Sequence, residues 1–244
     1  MQTPPARRRQ TRERKSRPSG EKFERIAEAA IACFSEFGYR RTQVTDIARH
    51  MGAAAGTLYL YAESKEALLH LAIMRLCGLG FEGLTAPLPT PPMSETAALL
   101  RAAVSERSRW PVLDTMLARS SAPSRDDLAA VGRELYDTVA AERRTIWLID
   151  SCSLDIPELG ELHRNLVRGG YIARLIRLLQ QHSAWPTERI AIAARAAIEM
   201  IAWTAMHRRR GDRLHTDGIM PTDEAEIRDV ATRCFAAALT VTAD

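Results

Sequence analysis

The 244-residue sequence contains few of the residues that build β-sheets. Aromatic side chains make up 6% of it, and runs in which Val and Ile alternate with polar residues are missing. Ala and Leu are abundant instead, and both favour helices. The apolar fraction of 46% suffices for a packed core. We therefore predict an all-α protein of about nine to ten helices.

Features of other protein classes are also missing. The four cysteines, Cys33, Cys77, Cys152 and Cys234, stand singly and lack zinc-finger spacing. We therefore predict free thiols in the cytoplasm, no metal site and no cofactor. No run of about 18 uncharged apolar residues occurs, which predicts no membrane partner. The basic N-terminus lacks the apolar run of a secretory signal.

Motifs of the common enzyme classes are missing as well. The sequence contains no Gly-x-Ser-x-Gly, no phosphate-binding loop and no dinucleotide fingerprint, and its six histidines are scattered. We predict that the protein is not an enzyme, with a helical enzyme as the lesser alternative.

Positive charge is concentrated at the N-terminus. Residues 1–20 contain seven basic residues and one acid, a net charge of +6, whereas the whole chain carries +4. Residues 21–244 therefore carry −2. Pro4, Pro5 and Pro18 favour disorder in this basic arm. Two interpretations remain open, a solubilising tail and an arm that contacts DNA phosphates.

Residues 21–70 contain short helices separated by glycine. Apolar residues at helical spacing predict a first helix over 21–37, ended by Gly38. Thr42 is predicted to cap a second helix, and Gly52 supplies the turn before a short third helix over about 54–61. Ser64 is placed to cap a fourth helix. Two short helices around a glycine turn form a helix-turn-helix, which places one helix in the DNA major groove.

A specific set of residues in this segment matches a known family. They are Phe37-Gly38-Tyr39, Thr42, Val44, Ile47-Ala48, Met51-Gly52, Gly56-Thr57-Leu58-Tyr59 and Ser64-Lys65-Glu66-Ala67-Leu68-Leu69. With them, the stretch from Phe23 to Leu69 resembles the DNA-binding domain of the tetracycline-repressor (TetR) family of bacterial transcription regulators. It departs from that family at Tyr61, Ala62 and Glu63, where histidine, an aromatic residue and proline are common.

The resemblance implies a repressor that binds a pseudo-palindromic DNA operator as a homodimer and is released by a small-molecule effector. It also implies a bacterial, nucleoid-associated protein. A helical protein that binds DNA without sequence preference is the alternative.

The residue types of this segment suit DNA binding. Small residues let the third helix approach base edges, and hydroxyl groups or a lysine near a helix N-terminus can bind phosphates. By this reasoning and by the resemblance, we predict DNA contacts for Thr42, Thr45, Ala54, Ala55, Gly56, Thr57, Tyr59, Tyr61 and Lys65.

The remainder, 71–244, is predicted as a larger helical domain for effector binding and dimerisation. Prolines make 84–93 a linker or loop. Helices are then predicted over 94–120 with a break at Pro111, from Ser124 to about Ile149, over 157–181, over 187–210, and from 223 to about Thr240. Residues 211–221 are predicted as a loop.

Two sets of residues in this domain have predicted roles. Large side chains of the middle helices are candidates for a ligand pocket: Trp110, Met116, Tyr136, Trp147 and Tyr171. The helix over 187–210 has two apolar faces, which suggests two packing partners. The predicted dimer interface consists of Ile190, Ala194, Ala197, Ile201, Ile227, Val230, Cys234 and Ala238.

Overall fold

The fold is taken from a computed structural model, which describes residues 20–207 and 223–240. The predicted arm, apart from Gly20, and the predicted loop at 211–221 lie outside the described residues.

Four helices form the N-terminal part. They are α1 (Gly20–Arg41), α2 (Val44–His50), α3 (Ala55–Leu58) and α4 (Lys65–Leu76). Gly38 interrupts α1 with φ 76°, and Gly52 makes the turn after α2 with φ 68°. Both glycines occupy backbone conformations that other residues rarely adopt. Ser64 caps α4 by accepting a hydrogen bond from the Ala67 N–H at 3.1 Å, as predicted.

Seven helices follow. They are α5 (Met93–Arg107), α6 (Pro111–Leu117), α7 (Arg125–Cys152), α8 (Pro157–Leu162), α9 (Gly170–Gln180), α10 (Thr187–Ala202) and α11 (Glu224–Thr240). A π-helical stretch, His163–Gly169, joins α8 to α9, and a second, Trp203–His207, extends α10. Counting the continuous run from Pro157 to Gln180 as one helix, the described residues form ten helices and no strand. The all-α prediction is confirmed.

The buried side chains form two separate cores. The first core contains α1–α4, the end of α5, the end of α7 and α8. The second core contains α6, the beginning of α7, and α9, α10 and α11. The first core therefore continues beyond the boundary that the sequence suggested at residue 70. The 28 residues of α7, about 42 Å of helix, connect the two cores.

The proline-rich segment after α4 packs on the residues that precede α4. The Leu88 N–H donates to the Tyr61 carbonyl at 2.8 Å, and the Glu63 N–H donates to the Leu88 carbonyl at 3.0 Å. Ala62, between them, is buried. The small side chain of Ala62 therefore sits where the linker backbone approaches, at the position where the sequence departs from the family pattern.

The most apolar helix is the run from Thr187 to His207. An 18-residue window of this 21-residue helix reaches a mean hydropathy of 1.2, so length and composition alone would permit a membrane span; a third of that window is buried. In this fold it packs in the second core through Ile190, Ala194 and Ile201.

Candidate nucleic-acid interface and ligand cavity

The helix-turn-helix exposes several small and hydroxyl-bearing residues. We call the exposed residues Thr45, Ala54, Gly56, Thr57 and Tyr59 the α3 surface. The buried residues of α2 and α3 are Ile47, Ala48 and Leu58. The α3 surface therefore has no part in the chain's own core, and its five residues stay predicted DNA contacts.

Gly56 is open on all sides. A methyl group added at its α-carbon would meet no heavy atom within 4 Å, and its φ lies outside the positive range that glycine favours. Neither internal packing nor backbone conformation therefore requires glycine here. The lack of a side chain does keep the α3 surface thin for an approaching double helix.

Thr42 is not the cap of α2, contrary to the prediction. Its hydroxyl is fully buried and donates to the carbonyls of Gly38 at 2.7 Å and Cys33 at 3.1 Å. Gln43 precedes the helix instead, and its N–H donates to the Asp46 carboxylate at 2.9 Å. In this structure the Thr42 hydroxyl stabilises the end of α1, so it is not available to a phosphate.

Lys65, at the beginning of α4, donates hydrogen bonds to the segment that connects α1 with α2. Its ammonium group donates to the carbonyls of Tyr39 at 3.0 Å and Thr42 at 3.2 Å and lies 4.4 Å from the Tyr39 ring centroid. The Tyr39 hydroxyl in turn donates to Glu66 at 2.5 Å. This bond lowers the pKa of Glu66, while burial raises the pKa of Tyr39. The predicted phosphate contact of Lys65 therefore competes with two internal hydrogen bonds.

The other two predicted DNA contacts are half-buried. Ala55 packs against the first core. Tyr61 packs edge-on against Phe23, with ring centroids 5.6 Å apart, and Lys22 lies 5.8 Å from its ring. Sequence reasoning did not single out Leu60, which is 65% exposed beside Tyr59.

A cavity lies where α7 passes from one core to the other. The centre of a water-sized molecule can occupy about 100 Å³ of it, and part of the cavity is open to solvent. Apolar residues of α5, α7, α9 and α10 form most of its wall, together with charged groups that the sequence reasoning missed. These charged groups are Arg107, Glu142, Asp150, Arg195 and Glu199. Apolar walls with a few polar groups are typical of small-molecule sites.

Two of the five predicted pocket residues line this cavity. Trp110 and Tyr171 are buried at its wall, with ring centroids 4.5 Å apart. Tyr136 is buried outside it, and its hydroxyl donates to Glu224 at 2.7 Å. Met116 and Trp147 also lie outside the lining. Side-chain size alone therefore did not distinguish residues of the cavity wall from core residues. Charged residues on the inward faces of these helices would have indicated the cavity.

Most of the predicted dimer residues face the chain's own second core. Ile190, Ala194, Ala197, Ile201 and Ile227 are buried within the single chain, and Ala238 is half-buried. That part of the prediction is wrong, because the two faces of α10 were assigned in the wrong order. The opposite face exposes Ile192 and Trp203, and Val230 and Cys234 of α11 are exposed as predicted.

Two short helices around Gly52, with an outward surface free of core contacts, define a helix-turn-helix DNA-binding domain. Comparison with known proteins agrees: residues 26–72 match the family described as bacterial regulatory proteins, tetR family. Residues 26–72 are therefore similar to the DNA-binding domain of the tetR family, as the sequence resemblance implied. Regulators of this family are DNA-binding transcription regulators.

Individual relatives share the same segment. Over 48 residues the chain is 46% identical to the HTH-type transcriptional regulator YvdT and 44% identical to the fatty acid metabolism regulator protein, both from Bacillus subtilis. Each match covers 20% of this chain, and it spans a quarter of the length of these curated relatives. A TetR-like transcriptional regulator from Rhodococcus sp. RHA1 aligns over 91% of this chain and 96% of its own, with 16% identity and a TM-score of 0.47.

Proposed function

We propose that this chain is a sequence-specific transcription regulator of the bacterial cytoplasm, associated with the nucleoid. Two copies bind a pseudo-palindromic DNA operator through their α3 surfaces. A small molecule in the cavity changes the affinity for DNA, and release of a repressor is the simplest form of this control. The exposed α3 surface carries the proposal, because it joins a recognised DNA-binding fold to side chains that do not serve the core.

Substitution of Gly56 tests the DNA-binding surface. Gly56→Leu adds bulk where no heavy atom of the chain lies within 4 Å, so the melting temperature should stay unchanged. Affinity for a specific duplex should fall at least about tenfold, the effect of a lost base contact. Ala102→Leu adds similar bulk at an exposed position of α5 and is the matched control. Equal DNA affinity of the two variants would show that α3 does not enter the groove.

Competition between duplexes separates specific from non-specific binding. Genomic fragments selected by footprinting should outcompete random duplexes of the same length at physiological salt by about a thousandfold or more. If both compete equally, the protein binds DNA without sequence preference and the regulatory proposal is wrong.

The exposed apolar residues of α10 and α11 support a homodimer. Ile192 is 71% exposed and Val230 is 54% exposed in the single chain, although both stand on helices that pack through their other faces. Exposed apolar residues on two helices that pack against each other support an interaction site there. A second copy fits because a palindromic operator needs two recognition helices related by a two-fold axis.

Charge substitution tests this interface. Ile192→Glu and Val230→Glu should convert the protein to a monomer in light scattering and weaken operator binding. Leu154→Glu is the matched control, because Leu154 is 95% exposed and lies after α7, away from both helices. In the wild-type protein, alkylation of the exposed Cys234 should slow as protein concentration rises. A dimer that survives both substitutions must use another surface.

The position of the cavity supports control by a ligand. It touches both cores, so a bound molecule can change how they are held relative to each other, and with them the DNA-binding domain. The protein would exchange between two arrangements of the cores, and a ligand can shift that equilibrium only by binding the two arrangements with different affinity. A reporter gene under the operator distinguishes repression from activation, since deletion of the regulator should raise expression if it is a repressor.

A further inference from the structure

Arg107 connects the cavity with the DNA-binding domain. It is the last residue of α5 and forms part of the cavity wall. Its Nη1 donates to the carbonyl of Leu76, the last residue of α4, at 2.9 Å. The same nitrogen lies 3.2 Å from Oε2 of Glu142 on α7. One side chain therefore touches the cavity, the end of α4 and the middle of α7.

Glu142 completes this arrangement. It accepts a hydrogen bond from the Thr145 hydroxyl at 3.1 Å, and both side chains line the cavity. Glu142 and Thr145 stand in the part of α7 between the two cores, after Tyr136 of the second core and before Leu148 of the first. A change in the partners of Arg107 would therefore alter contacts of α7 at the place where the two cores meet.

The cavity holds a second arginine that lacks this connection. Arg195 of α10 lies 2.8 Å from Glu199, four residues along the same helix. Asp150, the third carboxylate of the wall, lies 3.7 Å from Nε2 of His163. Both arginines line the cavity; Arg107 contacts α4, whereas the ion pair of Arg195 lies within α10.

We infer that the cavity takes a molecule with an apolar body and an anionic group, and that Arg107 couples binding of that group to α4. A guanidinium binds carboxylate, phosphate or sulfonate oxygens through two parallel hydrogen bonds. Such an anion is a stronger acceptor than the neutral Leu76 carbonyl, so it draws Arg107 away from the end of α4. Glu142 loses part of its pairing with Arg107 in the same step. This inference rests on the proposed ligand control.

Two dyes of nearly equal shape test the ligand class. 1-Anilinonaphthalene-8-sulfonate and N-phenyl-1-naphthylamine share an apolar body, and only the first carries a sulfonate; both fluoresce when they leave water. Arg107→Met should weaken binding of the sulfonate dye about tenfold or more, the effect of a lost charged hydrogen bond, and leave the neutral dye unchanged. Arg195→Met is the matched control and should have the smaller effect. Equal losses for both dyes, or a loss only in Arg195→Met, would overturn the assignment.

Hydrogen exchange tests the coupling without DNA. In the wild-type protein the sulfonate dye should speed amide exchange at residues 73–80, around the end of α4, and the neutral dye should not. In Arg107→Met these amides should exchange fast without any dye and show no further change, whereas Arg195→Met should respond like the wild type. Dye binding without any change at 73–80 would refute the coupling. Because no operator is used, failure of the DNA-binding proposal gives a different result, namely normal coupling without specific DNA binding.

Discussion

Gly38 stands where the DNA-binding domain meets α7, and its replacement by alanine should be costly. The backbone at Gly38 has φ 76° and ψ 174°, a region open essentially to glycine, and forcing another residue into it costs on the order of 1–3 kcal/mol. The added β-carbon would also lie 2.7 Å from the carbonyl oxygen of Ser151. That oxygen belongs to the α7 backbone and cannot rotate away, so overpacking adds about 1–3 kcal/mol.

Together these effects predict that Gly38→Ala loses about 2–6 kcal/mol of unfolding free energy. For a chain of this length each kcal/mol lowers the melting temperature by about 2–4 °C, so a decrease of about 4–24 °C is expected. The displacement would also strain two neighbouring bonds between the domains. These are the Ser151 hydroxyl to the Ser35 carbonyl at 2.7 Å and the Arg40 N–H to Asp155 at 2.8 Å.

Gly52→Ala is the matched control for Gly38→Ala. Gly52 has φ 68°, but no heavy atom lies within 4 Å of an added β-carbon. Gly52→Ala should therefore lower the free energy of unfolding only by the cost of the backbone conformation, about 1–2 kcal/mol. Urea unfolding at one fixed protein concentration measures both variants, since dimerisation would make stability depend on concentration. If Gly38→Ala is no less stable than Gly52→Ala, the close contact between Gly38 and α7 does not exist in solution.

Three further predictions concern the DNA-binding domain and the basic arm that precedes it. Lys65→Met should lower the free energy of unfolding by about 1–2 kcal/mol, because two carbonyls lose a charged donor. The control Arg49→Met removes an exposed ion pair with Asp46 and should lower it by less than about 0.5 kcal/mol. Urea unfolding measures both variants. Burial lowers the pKa of His70 below its ordinary value of 6.5, so the unfolded chain takes up the proton first and stability should fall as pH drops from about 7 to 5. His70→Gln should flatten this dependence in urea midpoints at the two pH values, and an unchanged slope would contradict the burial of the ring. Deletion of residues 1–19 should reduce the slope of log affinity for DNA against log salt by about 0.9 for each lost phosphate contact, and an identical slope would show that the arm is only a tail.

Much of the local structure was predictable because it depends on neighbouring residues. The glycines at 38 and 52 and the cap at Ser64 act within a few positions of the chain. Ser124 likewise caps α7, accepting from the Asp127 N–H at 3.1 Å. The exposed residues of the α3 surface followed from the same local spacing.

Other features depend on contacts between distant residues. Thr42 has the side chain of a helix cap, but the carbonyls of Gly38 and Cys33 come close enough to take its hydroxyl. No local pattern revealed that the linker at Leu88 would pack beside Ala62. Arg107 and Glu142, 35 positions apart, look like ordinary surface charges until α5 and α7 bring them together at the cavity.

The sequence alone determined that the chain is helical, that its N-terminal part is a helix-turn-helix, and that α10 has two apolar faces. Periodicity carries this information because each side chain's direction follows from its position in the helix. Which face of α10 meets the second core and which stays outside was decided only by the tertiary structure. The two faces are similar in apolar character, so the choice depends on how α7, α9 and α11 pack around the helix. The same packing decides where two cores meet, and so where a cavity forms between them.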